Sequence, residues 1–232
     1  GLDGGTGAVT GTTGDDDPTH SGMISVRADR VGAGGTVGDV LVQGVAGDRW
    51  ALIGHGGDGI EGDHCGDIVV IGNNITLEGG NTRSFAQVGH GGQVSHGNLS
   101  GDIFINWDPN ADNGNGAVAG GQGNIDLVTA GTGSDSYRQI GHGGRGQDGT
   151  KDGDILIGRA ANITLTGGNH TGHYAQIGHG GRGGSGAVGS VSSSDITMTV
   201  AGANGALSLS GIATDGARAE IYTQVGHGGV NY

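Results

Sequence analysis

Short apolar runs of four residues, each bounded by Gly, Asn or Asp, recur along the whole chain. The first kind begins with Asp-Ile and occurs at 67–70, 102–105, 154–157 and 195–198. The second kind begins with Asn-Ile at 74–77, 124–127 and 162–165, with a variant at 206–209. The N-terminal copies are divergent: 23–26 corresponds to the first kind and 39–42 to the second. Runs this short, rich in β-branched residues and separated by turn formers, predict β-strands.

A third recurring run ends in the tetrapeptide Gly-His-Gly-Gly, which occurs five times. An aromatic residue stands five positions before each histidine, and a glutamine stands three positions before four of them. The histidines are His55, His90, His142, His179 and His227. The aromatic residues are Trp50, Phe85, Tyr137, Tyr174 and Tyr222, and the glutamines are Gln87, Gln139, Gln176 and Gln224. Because five of the eight aromatic residues of the chain share this position, the period reflects structure rather than composition.

Each repeat contains three predicted strands in the same order. The repeats fall near 1–57, 58–92, 93–144, 145–181 and 182–229, within a single domain of 1–232. One repeat cannot bury its own Ile, Val and Leu, but stacked repeats pair every strand above and below and close a thin apolar core. The sequence therefore predicts an all-β fold, a parallel β-solenoid of about five three-stranded coils with uncapped ends.

Composition and charge narrow the possible functions. Gly accounts for 58 of the 232 residues, which disfavours helices, and the presence of only 2 Pro excludes a collagen helix. The net charge of −13 argues against nucleic acid as a partner, because phosphate binding needs a basic surface. No apolar run approaches the ~20 residues of a membrane-spanning helix, so we expect no membrane insertion.

The five histidines form a column along one edge if the coils stack in register. Histidines can bind Zn²⁺, but zinc ligands converge on one point, whereas a column spaces them along a line. A structural stack that closes a turn is therefore the preferred interpretation, and no cofactor is predicted, with Zn²⁺ and Ca²⁺ kept as alternatives. Protonating a close-packed stack creates repulsion, so we expect acid to loosen the assembly.

The aromatic residues and the glutamines share one face of the third strand, because side chains alternate with period two. Glutamines stacked in register predict an amide ladder. The sequence leaves open whether this face lines the interior near a corner or points outward. An outward face would be an apolar stripe suited to lateral contacts between filaments.

Four aspartates align at the start of the first strand, namely Asp67, Asp102, Asp154 and Asp195. Stacked carboxylates repel unless a cation or backbone N–H groups compensate. Residues 143–148 match the Gly-Gly-x-Gly-x-Asp motif of calcium-binding repeats, but the match does not recur nine residues later. Turn capping by aspartate is therefore preferred over calcium binding.

The two ends of the sequence resemble successive parts of one repeat. A solenoid without polar caps exposes unpaired strand edges, and such edges recruit other chains. Our hypothesis is a homopolymer formed end to end, which gives an open filament. The expected interface consists of Gly4, Gly5, Gly7, His227, Gly228, Gly229 and Tyr232. A stalk segment of a larger secreted adhesin is the alternative, because it would show the same two ends.

Segments 162–168 and 174–181 resemble the repeats of large bacterial surface proteins of the filamentous-haemagglutinin type. This resemblance implies a secreted, parallel β-helical protein with a structural or adhesive role outside the cell, for which surface glycans are a further class of partner. No Gly-x-Ser-x-Gly, P-loop or His-Glu-x-x-His motif occurs, so no enzymatic activity is expected. A β-helical polysaccharide-processing enzyme is the least favoured alternative.

Overall fold

The computed structural model describes residues 20–28, 37–45, 47–110, 123–129, 131–186, 194–201, 204–211 and 220–231. These residues contain 23 short β-strands and no helix. The strands follow one another in five coils, and coil 5 has three strands among the described residues.

The strands are numbered along the chain. Coil 1 contains β1 (His20–Ser21), β2 (Ile24–Arg27), β3 (Val40–Gln43), β4 (Trp50–Ile53) and β5 (Gly56–Asp58). Coil 2 contains β6 (His64–Cys65), β7 (Ile68–Ile71), β8 (Ile75–Gly79), β9 (Phe85–Val88) and β10 (Gly91–Gln93). Coil 3 contains β11 (Leu99–Ser100), β12 (Ile103–Ile105), β13 (Ile125–Thr129), β14 (Tyr137–Ile140) and β15 (Gly143–Arg145). Coil 4 contains β16 (Lys151–Asp152), β17 (Ile155–Ala160), β18 (Ile163–Gly167), β19 (Tyr174–Ile177) and β20 (Gly180–Arg182). Coil 5 contains β21 (Ile196–Val200), β22 (Leu207–Gly211) and β23 (Tyr222–Val225).

Every strand pairs in parallel with the equivalent strand of the neighbouring coil, which produces five sheets. We name them the Asp-Ile sheet (β2, β7, β12, β17, β21), the Asn-Ile sheet (β3, β8, β13, β18, β22), the aromatic sheet (β4, β9, β14, β19, β23), the glycine sheet (β5, β10, β15, β20) and the short sheet (β1, β6, β11, β16). The predicted parallel β-solenoid is confirmed.

Coils 1 to 4 each have five strands where the sequence predicts three. The three predicted strands lie in the Asp-Ile, Asn-Ile and aromatic sheets. The glycine sheet is built from the last two glycines of the first four tetrapeptides and the residue after each pair, and each strand of the short sheet has two residues. Neither kind of strand carries an apolar alternation, which is the signal that reveals strands in a sequence.

The main apolar core lies between the Asp-Ile, Asn-Ile and aromatic sheets. Equivalent side chains stack along the solenoid axis in strict register, and those of the inner coils are fully buried. Two such columns are Ile68–Ile103–Ile155 and Leu77–Leu127–Leu165. Burial of an Ile or Leu side chain stabilises a fold by about 1.5–3 kcal/mol, so these columns hold the coils together.

Both faces of the aromatic sheet are buried in the inner coils. Its inner face contributes residues such as Ile140 to the main core, and its outer face carries Phe85, Tyr137 and Tyr174, all fully buried. The glycine sheet covers this outer face, since a Cβ placed on Gly144 would lie 2.6 Å from the Tyr137 hydroxyl oxygen. The face that the sequence left unassigned is therefore interior in coils 2 to 4.

Candidate functional site

The first glycine of each inner tetrapeptide stacks directly on its equivalent in the next coil. A Cβ on Gly89 would lie 2.0 Å from the carbonyl oxygen of Gly141, and a Cβ on Gly141 would lie 2.0 Å from that of Gly178. The φ angles of Gly89 and Gly141 are 149° and 148°, where side chains are disfavoured. Only glycine fits at this position.

The five histidines of the tetrapeptides stack face to face, and we call them the histidine column. The centroids of successive rings lie 5.1, 4.8, 4.7 and 4.9 Å apart, and the ring planes are within 12° of parallel. Outside the column, His20 packs on His55 at a longer centroid distance of 6.4 Å.

Two hydrogen bonds to the backbone hold each inner imidazole. The backbone N–H of His90 donates to Nδ1 of His142, and that of His142 donates to Nδ1 of His179, each over 2.9 Å. Nε2 of His142 lies 2.7 Å from the carbonyl oxygen of Gly101. Because Nδ1 accepts a hydrogen bond, it carries no proton, and Nε2 must be the protonated nitrogen that donates to the carbonyl. The geometry therefore requires neutral rings in the Nε2–H tautomer.

Burial lowers the pKa of the inner imidazoles. The pKa of His90 and of His179 falls to about 4, chiefly because the charged form would lose its solvation. Burial shifts the pKa of His142 in the same direction, and the neighbouring rings of His179 and His90 add to the shift. The inner column is thus uncharged at neutral pH.

The same hydrogen bonds bear on metal binding. In His90, His142 and His179, Nδ1 uses its lone pair and Nε2 its proton, so neither nitrogen can ligate a metal in this arrangement. The rings also lie along a line and do not converge on a point, as zinc ligands must. Within the described ranges, no cluster of three or more His, Cys, Asp or Glu side chains could hold a metal ion. The geometry favours a structural stack over the zinc alternative.

The glutamines stack in register, but their amides do not form the ladder that the sequence suggests. Nε2 of Gln139 donates to the carbonyl oxygens of His142, Gly178 and Gly180 over 3.0–3.2 Å. Gln87 and Gln176 make the equivalent three contacts. Each glutamine thereby joins the tetrapeptide of its own coil to that of the next coil. The backbone carbonyl groups, and not the neighbouring glutamine side chains, therefore accept the hydrogen bonds of the amide N–H groups.

The aromatic side chains form a second continuous stack beside the glutamines. Ring centroids lie 5.7 Å apart between Trp50 and Phe85 and 4.8 Å apart along the rest of the stack. The Tyr137 hydroxyl donates to Oε1 of Gln87 over 3.3 Å, and the Tyr222 hydroxyl makes the same contact with Gln176. Burial raises the pKa of Tyr137 well above its usual value, so the phenol stays protonated as a donor.

The aligned aspartates cap the turns of their neighbours. The backbone N–H of Asp102 donates to Asp67 Oδ1, that of Asp154 to Asp102 Oδ1, and that of Asp195 to Asp154 Oδ1, over 2.8–3.0 Å. Backbone N–H groups thus compensate the stacked carboxylates, as the preferred interpretation of the sequence requires.

The calcium-like motif at 143–148 is occupied by other contacts. Asp148, its last residue, accepts a hydrogen bond from Ser185 Oγ over 2.7 Å, and its second oxygen lies 3.0 Å from His96 Nδ1. The motif spans β15 and the turn that follows it, and the contacts of Asp148 join this turn to the equivalent turns after β10 and β20.

Two positively charged side chains are buried, which the sequence does not predict. Arg138 is fully buried at a position that holds Ala86 and Ala175 in the adjacent coils, and its guanidinium donates to the carbonyl of Gly79. Burial lowers its pKa to about 9. Lys151, the only lysine, is 1% exposed and donates to three carbonyl oxygens. The burial of either side chain is not predictable from the repeats, because neither residue recurs at the equivalent position of the neighbouring coils.

A surface cleft of about 220 Å³ lies beside the glycine sheet, between Arg145, Arg182 and Glu220. Its charges pair with one another: Arg182 makes ion pairs with Asp135 and Glu220, and Arg145 Nε lies 3.8 Å from Asp135 Oδ1. These pairs fasten the glycine sheet to the turn that precedes the aromatic sheet.

The expected subunit interface is only partly described. The backbone N–H of Gly228 donates to the carbonyl of His179, and Gly229 lies against Gly181, so both residues close the last coil. His227 ends the histidine column. Gly4, Gly5, Gly7 and Tyr232 lie outside the described residues.

No protein-family model, curated protein or solved structure matches this chain. Within the described part of the chain, no helix is long and apolar enough to cross a membrane.

Proposed function

We propose that this chain is a structural subunit of an extracellular bacterial filament, built by head-to-tail stacking of its solenoid on further copies. Its principal partner is another copy of itself, and surface glycans are a second class of partner. Its role is mechanical rather than catalytic. The resemblance of segments 162–168 and 174–181 to filamentous-haemagglutinin repeats supports the location at the cell surface.

The observation that carries this proposal is the exposed edge of coil 5. Leu207 and Leu209 point toward the core axis but are 45% and 43% exposed, whereas their register partners Ile163 and Leu165 are fully buried. Their strand β22 is the outermost member of the Asn-Ile sheet among the described residues. An apolar, unpaired strand edge of this kind templates the addition of another strand.

The opposite end of the solenoid presents a different surface. Val40 and Val42 in β3 are only 9% and 5% exposed, while Trp50 and Met23 are 44% and 60% exposed. Leu41 and Val45, near the same end, are exposed as well. Since the two ends differ, a contact between them is heterologous and propagates instead of closing into a dimer.

The histidine column supports a mechanical role. Its polar groups bond to the backbone of adjacent coils, and its inner rings are neutral and buried. Groups held in this way stiffen a rod, whereas a catalytic group needs access to a substrate.

Negative-stain electron microscopy and sedimentation of the purified chain test the proposal. We expect filaments whose formation is abolished by Leu209→Asp, which places a charge in the apolar contact. Thr166→Asp is the matched control, because Thr166 lies on the solvent face of β18, one coil inside the exposed edge, and it should leave filaments intact. Dispersed short rods of the unaltered chain would overturn the proposal in favour of a stalk segment.

A further inference from the structure

We infer that the junction between two copies continues the internal register of the solenoid, so that His227 of one copy stacks on His55 of the next. This inference rests on the proposed filament and adds its geometry. The evidence is a set of hydrogen-bonding groups of the histidine column and of the aligned aspartates that have no partner at the two ends of the described structure.

The histidine column follows one rule throughout the chain. The backbone N–H of each histidine donates to Nδ1 of the histidine in the following coil, over 2.9–3.1 Å. Among the described residues, this rule leaves the N–H of His227 without an acceptor and Nδ1 of His55 without a donor. A second copy stacked in register brings this donor and this acceptor together.

The aspartate ladder follows a rule of the same kind in the opposite direction. Each carboxylate accepts the N–H of the equivalent residue in the following coil, up to the bond from Asp195 to Asp154. The carboxylate of Asp195 has no such donor in the described structure. In coil 1 the equivalent residue is Met23, which precedes Ile24 as Asp67 precedes Ile68. Its backbone N–H is the expected donor from the next copy.

The ring stack and the apolar face select the same register. An in-register junction places Tyr222 against Trp50, whose exposed ring is the first member of the aromatic stack. It also aligns Leu207 and Leu209 with Val40 and Val42, which are already buried, so the apolar area covered there belongs mainly to the two leucines. A slip of one residue would turn the two leucines to the solvent face. A slip of two residues would separate His227 from His55 and the Asp195 carboxylate from the Met23 N–H.

Cysteine cross-linking tests this register directly. Leu41 and Ser208 are exposed, solvent-facing members of one column, since Leu41 pairs with Thr76 and Ser208 with Thr164. At an in-register junction their Cα atoms would lie about 4.8 Å apart, within the range of a disulfide. The Leu41→Cys/Ser208→Cys chain also carries Cys65→Ser, which removes the native thiol. Serine suits this position, because the register partners of Cys65 in the short sheet are Ser21 and Ser100.

On mild oxidation of assembled material, we expect this chain to give covalent multimers on a non-reducing gel. Mixing chains that carry Leu41→Cys alone with chains that carry Ser208→Cys alone should stop at dimers. The matched control is Leu41→Cys/Ser210→Cys, in which the two Cα atoms are about 8 Å apart at the same junction, too far for a disulfide.

The possible outcomes separate the two proposals. Filaments with cross-links only in the Leu41–Ser208 pair support the register. Filaments that fail to cross-link, or that cross-link through Ser210→Cys, overturn the register and leave the filament standing. Absence of filaments from both the unaltered chain and the reduced double variant overturns both.

Discussion

The apolar core and the histidine column run side by side through the same coils, yet they constrain the sequence differently. One core column contains Val26, Val70, Ile105, Ile157 and Met198 in register. The tetrapeptide position beside it is histidine in all five coils. Burial and dispersion require an apolar side chain of suitable volume, and several types meet this requirement. At the tetrapeptide position the requirement is for one ring nitrogen that accepts and another that donates, and only neutral histidine meets it.

This difference indicates separate tasks for the two columns. The core supplies most of the stabilisation through buried area, and it tolerates exchange among Val, Ile, Leu and Met. The tetrapeptide, with its glutamine, links each coil to the next by bonds that form only at one register. We therefore expect changes in the tetrapeptide region to cost more than changes of similar size in the core.

Acid should give the largest effect, because it acts on the histidine column and not on the core. The pKa of His90 and of His179 is about 4 in the folded chain, whereas an unfolded imidazole titrates near 6.5. The unfolded chain therefore binds more protons below pH 6.5, and stability is complete above that pH and falls as the pH drops toward 4. Between pH 7.5 and 4.5 these two residues together should lower the free energy of unfolding by about 5 kcal/mol. His173, a buried histidine outside the column, adds to this loss, because burial lowers its pKa to about 4 as well.

Urea unfolding followed by circular dichroism at these two pH values measures this loss. In His96→Ala, which removes the surface ion pair between His96 and Asp148, the loss between pH 7.5 and 4.5 should persist, because it comes from buried histidines. An equal free energy of unfolding at pH 7.5 and 4.5 would contradict the described hydrogen bonding of the column.

Gly141→Ala should give the next largest effect, a loss of more than about 3 kcal/mol in the free energy of unfolding. The added Cβ would meet the carbonyl of Gly178 at 2.0 Å, and the φ of 148° is unfavourable for alanine. Gly211→Ala is the control, because a Cβ there has no neighbour within 4 Å. A similar small loss in both variants, measured by urea unfolding, would show that the glycines stack less tightly than described.

Gln139→Leu should cost about 2–3 kcal/mol, because three buried carbonyl oxygens lose their shared donor. Gln43→Leu removes an exposed amide that donates to the exposed Glu78, and it should change stability by less than about 0.5 kcal/mol. Thermal unfolding of the two variants provides the comparison. Equal melting temperatures of the two variants would show that the Gln139 amide does not stabilise the contact between coils.

Ile157→Val should give the smallest effect, a loss of about 1 kcal/mol for one buried methylene. The same column already holds Val26 and Val70, so the site accepts the shape of valine. Chemical denaturation measures the change. A loss above about 3 kcal/mol would mean that the core is as selective as the histidine column, and the contrast between them would disappear.

Much of the fold is predictable from the sequence, because a repeated chain samples each position several times. Ile68, Ile103 and Ile155 share one position in successive repeats, and a shared position in parallel stacked coils means a shared column. The alignment of the histidines, glutamines and aromatic residues follows by the same argument, and so does the capping role of the aspartates.

The covering of the aromatic sheet could not be predicted. The glycine sheet consists of residues such as Gly143 and Gly144, which have no side-chain alternation to reveal a strand. Without that strand, Tyr137 and Gln139 could equally face solvent, and the carbonyls that capture the amide of Gln139 cannot be placed. Arg138 was invisible for a related reason, since its burial depends on the alanines above and below it in space.

The parallel stacking also determines how the rod responds to force. Bonds between neighbouring coils run along the long axis in all five sheets, so tension applied evenly at the two ends stretches the bonds of each layer simultaneously. Breakage then requires the concerted rupture of one entire layer. In a polymer of such rods, the layer with the fewest hydrogen bonds sets the tensile strength. The number of bonds at the junction between neighbouring molecules therefore determines whether the polymer breaks there or within a molecule.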